Sequence, residues 1–215
     1  MADFNRSAES ASDILNDIAR TEQELLEIVA RYVGLGRPMY AAHVFLMGVG
    51  RRTLAQSRAL RQLIEDKNHL VVLALIRLQL DTAFRLHAVF WVDDPEAFAK
   101  QVFEGGQINR IKAADGQPMT DKYLKEKLLA DYPWMQDVYE NTSGAVHFSA
   151  RHISAAFSVK DVEEGTISLA LGPVDPKHTL EDYRELLAVT RHINAIINEA
   201  LEIAFDRLGA PLAAG

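Results

Sequence analysis

No proline interrupts the chain from Met39 to Val92, more than fifty residues rich in alanine and leucine. Proline is the strongest helix breaker, and alanine and leucine are among the best helix formers, so this stretch is committed to α-structure. One unbroken helix of that length would be unusual in a globular protein. The stretch therefore predicts a helical pair, broken at Gly48–Gly50 or at Asp66–Asn68, where turn-forming residues gather.

Most of the remaining chain carries the same 3.6-residue period. Residues 8 to 33 place Ile14, Ile18, Leu25, Val29 and Val33 on one stripe, ended by Gly34 and Gly36. Pro38 is placed to open the second helix as a first-turn residue. Asp93-Asp94-Pro95 starts a short helix through Phe103, stopped by Gly105-Gly106, and a loop with turn chemistry at Asp115-Gly116 follows. Thr120 caps another short helix, and Asp131-Tyr132-Pro133 opens the next. After His152 the period changes: Ala156–Val159 and Thr166–Leu171, separated by DVEEG, predict a β-hairpin over approximately 156–171. Thr179-x-x-Asp182 starts a long final helix with Tyr183, Leu187, Ile193, Ile197, Leu201 and Leu208 on one face. The expected fold is all-α: a helical bundle forming a single domain over 1–215, with one hairpin before the C-terminal helix.

The absence of cysteine excludes disulfides, thiolate catalysis and Cys-based zinc sites, and suits a cytoplasmic protein. The start MADFNRSAESASD lacks the basic and apolar regions of a secretory signal, and Leu70–Ile76 is far short of a membrane span. A net charge of −7 argues against general affinity for RNA or DNA, although Arg37, Arg51, Arg52, Arg58 and Arg61 lie in a segment without any acid. The histidines lack metal-ligand spacing, and Gly34-x-Gly36 and Gly48-x-Gly50 lack that of a phosphate loop, so neither metal nor cofactor is expected.

Chemically capable side chains concentrate in YENTSGAVHFSARHIS, residues 139 to 154. Tyr139, Ser143, His147 and Arg151 are spaced by four and would form one ladder on a continuous helix, with Ser149 and His152 beside it. His147 could serve as a general base beside Arg151 as an anion clamp, or pack at a helix end. On the very apolar helix of Leu70–Val92, Arg77, Asp81 and Arg85 are also spaced by four. They either pair along the helix or form a polar pocket shared with His147 and Arg151.

The segments RALRQLIEDKNHL (58–70), RLQLDTAFRL (77–86) and YENTSGAVHFSARH (139–152) resemble a group of uncharacterised bacterial all-helical proteins. Their wider relatives are the HEPN-like proteins of bacterial defence and toxin–antitoxin systems. HEPN ribonucleases share an Arg-x4–6-His motif in which His assists 2′-hydroxyl attack and Arg steadies the phosphate. Arg37-x5-His43 is the one match in spacing, with proline in its second position, and chance alone supplies one such match. The expectation is a non-catalytic HEPN-like module that binds a protein partner or a small ligand and dimerises through apolar helix faces. The alternative is a metal-independent endoribonuclease using His147 and Arg151, or Arg37 and His43.

Overall fold

A computed structural model describes residues 9–34, 38–161, 166–169, 171–172, 174 and 178–209. Eight α-helices build it among the described residues: α1 (Ala11–Tyr32), α2 (Ala41–Glu65), α3 (His69–His87), α4 (Pro95–Phe103), α5 (Asp121–Asp131), α6 (Met135–Val146), α7 (Ala150–Ala156) and α8 (Arg184–Leu208). The strands β1 (Phe157–Asp161) and β2 (Thr166–Leu169) pair antiparallel, with Phe157 opposite Leu169. The protein is an all-α helical bundle carrying one hairpin, and the residues joining the two strands lie outside the described residues.

Sequence chemistry accounts for most boundaries. Ser10 and Asp13 exchange bonds as a capping box at the start of α1. Asp94 caps the backbone of Glu96 and Ala97 with Pro95 in the first turn of α4, and Thr120 caps α5. The long α2–α3 stretch breaks at 66–68. Lys67 takes a left-handed φ of 55°, the Asn68 amide donates to Leu63 O, and the Asn68 side chain caps Val71. Gly48 and Gly50 remain inside α2, so they do not break it. Pro38 precedes the helix, which starts at Ala41. The cap comes from elsewhere: both carboxylate oxygens of Glu96 accept the Ala41 and Ala42 amides, at 3.0 and 2.9 Å. A carboxylate at a helix N-terminus is favoured by the helix dipole. These bonds hold the Glu96 carboxyl below its ordinary pKa, the one from Ala42 contributing most.

The core is shared chiefly by α1, α2, α3 and α8. Leu25, Leu46, Leu60, Ile76, Leu80, Ile197 and Leu201 are all buried there. α3 packs on α2, α6, α8 and α5, and α8 on α1, α3 and α2. The apolar stripe of α8 is thus covered within one chain: Leu187, Ile193, Ile196, Ile197 and Phe205 are buried without a second copy.

A polar cluster crosses this core. Glu22 of α1 receives Arg61 of α2 through two bonds of 2.9 and 2.7 Å and the Ser57 hydroxyl at 2.8 Å. Asn194 of α8 donates to Ser57 and Thr21 and accepts from Gln79. Buried polar groups need such partners, and these tie four helices in one register. Of the arginines in the acid-free segment, Arg61 turns inward while Arg51, Arg52 and Arg58 stay exposed.

Candidate functional site

The ladder of Tyr139, Ser143, His147 and Arg151 does not form on one helix. α6 ends at Val146, His147 takes extended backbone (φ −112°, ψ 146°), and α7 starts afresh at Ala150. Local side chains explain the break. The Ser149 hydroxyl donates to the otherwise open Gly144 carbonyl at 2.6 Å, and the Ser149 amide donates to His152 Nδ1 at 3.1 Å. Serine here competes with the helical backbone instead of extending it. The His152 ring stacks on exposed Phe148, and the Arg151 guanidinium donates to Asn141 O at 2.9 Å. His147 and Arg151 are both exposed, and Ser143 spends its hydroxyl on Tyr139 O.

The Arg77–Asp81–Arg85 ladder divides as well. Arg77 does not pair with Asp81; its guanidinium lies 4.1 Å from the centre of the Tyr139 ring, where Lys125 also approaches at 4.6 Å. Asp81 instead receives Arg85 through both oxygens at 3.1 and 3.0 Å, with Arg52 Nη2 at 3.7 Å. Arg85 reaches on to Asp121 at 2.8 Å. Burial acts to lower the Arg85 pKa, but the hydrogen bonds and charges of Asp81 and Asp121 outweigh it and raise it.

Asp81 and Arg85 belong to a cavity of about 360 Å³ between α2, α3 and α4. Ala41, Val44, Phe45, Gly48, Val49 and Arg52 line it from α2, a stripe spaced by three and four that presents one face. Ala99, Val102 and Phe103 come from α4 and Ile108 from the turn after it, while α3 supplies Asp81, Thr82 and Arg85. Two walls are apolar and the third is polar. Arg52 Nε donates to the Thr82 hydroxyl at 2.9 Å, setting that guanidinium at the polar wall. Gly48 leaves the middle of the cavity open: a Cβ there would meet no atom within 4 Å.

His147, Arg151, Ser149 and His152 are not in this lining, so the two candidate clusters do not converge on one pocket. Although α6 packs along α3, the ring of Tyr139 meets Arg77 and Phe84 and none of the cavity's polar side chains. His43 turns away from the cavity towards Phe205 of α8, with its Nδ1 accepting the Tyr40 amide at 3.4 Å. Its proposed partner Arg37 lies outside the described residues. Among the described residues of the polar wall, Asp81 is engaged by two arginines and Thr82 by Arg52 and its own helix.

A second cavity, of about 180 Å³, lies between the end of α3 and α8 and is lined by His87, Phe90, Tyr132, Glu199 and Arg207 among others. His87 Nδ1 lies 2.8 Å from Ala83 O, so the neutral ring donates there. Burial depresses its pKa more than this bond and the nearby acids raise it.

Sequence reading missed Arg52, Thr82, Gly48 and the apolar walls. An apolar stripe such as that of α2 signals a buried face whether a core or a cavity covers it. Among the described residues no group of three or more acids or histidines is placed to hold a metal ion, and no helix is long and apolar enough to cross a membrane. Comparison with family models, curated proteins and solved structures found no match to this chain.

Proposed function

We propose that this chain is a non-catalytic, HEPN-like binding module that carries a small, largely apolar ligand in the α2–α3–α4 cavity. The cavity carries the reading: its volume falls within the usual range of ligand sites, and its apolar walls meet a few fixed polar groups. The commitment of Asp81 to Arg85 and Arg52, and of Arg151 to a backbone carbonyl, favours binding over catalysis. The resemblance to HEPN-like proteins suggests a bacterial defence or toxin–antitoxin setting, in which such a module would answer to its ligand by engaging a protein partner.

Titration with 1-aminoanthracene, a neutral fluorescent probe, tests the reading in the parent and in Gly48→Leu. The leucine would fill the open centre of the cavity. One saturable site in the parent, lost in a variant that still melts cooperatively, is the expected result. Equal binding by both proteins, or none by the parent, would refute it.

A further inference from the structure

The cavity's charge points to the ligand's chemistry. Resting on the binding-module reading above, we propose that the ligand is an amphiphile with an apolar chain and a single carboxylate, its head held by Arg52 and its chain between α2 and α4.

Among the described residues, three ionised side chains line the cavity: Arg52, Arg85 and Asp81. Arg85 is doubly satisfied, by both oxygens of Asp81 and by Asp121. Asp121 does not line the cavity, but at 2.8 Å from Arg85 it joins Asp81 in neutralising that guanidinium. An occupant therefore meets Arg85 already paired by two acids, and beside it the less engaged guanidinium of Arg52. The donors left over are those of Arg52, which among the described residues makes one direct hydrogen bond, from Nε to Thr82, stands 3.7 Å from Asp81 and keeps 47% of its side chain exposed at the cavity's edge. A guanidinium has five N–H donors in a planar fork matched to a carboxylate, and most of these remain for a ligand.

The same geometry argues against other head groups. A cation would face two arginines in a partly desolvated site. A neutral head would leave the spare Arg52 donors without a charged acceptor as the cavity loses water. A dianion would set its second charge against Asp81, already close to Arg52. One negative charge fits. The remaining walls suit an extended apolar chain, because the α2 stripe from Ala41 to Arg52 runs for about 16 Å at the helical rise and is apolar until its last residue.

Isothermal titration calorimetry with decanoate, decanol and decyltrimethylammonium, below their micellar concentrations, tests the assignment. Four proteins are compared: the parent, Arg52→Gln, Arg52→Lys and Gly48→Leu. Decanoate should bind the parent at one site, about tenfold or more tighter than decanol, the scale of one charge-assisted hydrogen bond, with decyltrimethylammonium weakest. Arg52→Gln should erase the preference for decanoate over decanol. Arg52→Lys keeps the charge and should keep part of the preference, which a merely structural role for Arg52 would not require. Gly48→Leu should lose every probe. Equal affinities for decanoate and decanol in the parent, or a preference that survives Arg52→Gln, would overturn the carboxylate assignment. The module reading stands in that case if Gly48→Leu still abolishes 1-aminoanthracene binding. Failure of all four probes in the parent would overturn both.

Discussion

Two glycines two residues apart in α2 should respond oppositely to the same substitution. Replacing either by alanine removes a helix-interior glycine and gains about 0.8–1.0 kcal/mol in helix propensity. At Gly48 a Cβ meets nothing within 4 Å, so the gain is undiminished. Gly48→Ala should therefore stabilise the protein by about 1 kcal/mol, or about 2–4 °C in Tm for a chain of this size. At Gly50 the added Cβ lies 3.2 Å from Leu25 Cδ2 and 3.8 Å from Val29 Cγ2. Leu25 is fully buried at the α1–α2 contact, so it must shift within a packed core. Overpacking costs about 1–3 kcal/mol, which leaves Gly50→Ala between neutral and about 2 kcal/mol destabilised. Urea titration reads the difference as separated midpoints at an unchanged slope. Equal stabilisation by both substitutions would refute the close α1–α2 approach at Gly50. Destabilisation by Gly48→Ala would mean that the cavity is not open there. A glycine kept at a position where alanine is more stable is also the pattern of stability yielded to function.

Other perturbations probe the core, the second cavity and the α6–α7 junction. Glu22→Ala strands Arg61 and Ser57, and with side chains 14% and 25% exposed at Glu22 and Arg61 it should cost about 2–3 kcal/mol, read by urea unfolding; a loss under about 0.5 kcal/mol would place the pair in solvent. His87 has its folded pKa below the unfolded value of about 6.5, because burial favours the neutral ring. Its contribution is complete above that pH and is lost as pH falls through the folded value, so the parent should lose more stability than His87→Gln between pH 7 and pH 5; parallel pH profiles of the melting temperature would refute this. His147→Ala and Arg151→Ala should each leave Tm nearly unchanged, since both side chains are exposed. RNA cleavage by the parent that either substitution abolished would favour the endoribonuclease reading over the binding module.

The helices were legible because their signals are local. Asp94-Pro95 and Thr120 satisfy amide groups within three residues of themselves, whatever the rest of the chain does. The Thr179–Asp182 box was also legible, although the first turn it caps, Leu180–Tyr183, is 3₁₀ before α8 begins. The period change after His152 likewise marked the hairpin. Where two local solutions compete, sequence alone leaves the choice open. Gly48–Gly50 and Asp66–Asn68 both offered a break, and the Asn68 cap with Lys67 in the left-handed region took it. The four-residue ladder through His147 was a sound periodicity on a helix that Ser149 and His152 divide.

The amino-acid order by itself determined a helical bundle, most of its element boundaries and the absence of thiol chemistry. Tertiary structure decided which polar residues meet. Spacing along one helix says that Arg77, Asp81 and Arg85 share a face, but not that Tyr139 draws Arg77 away or that Arg52 arrives from α2. An apolar stripe reads the same whether a neighbouring helix fills the space or leaves it open. Only the packing of α4 against α2 makes Gly48 the middle of a cavity and Gly50, half a turn away, part of the core. The physical reason is range: caps and turns are settled over a few residues, whereas a cavity and its charge are set by side chains that come from three different helices.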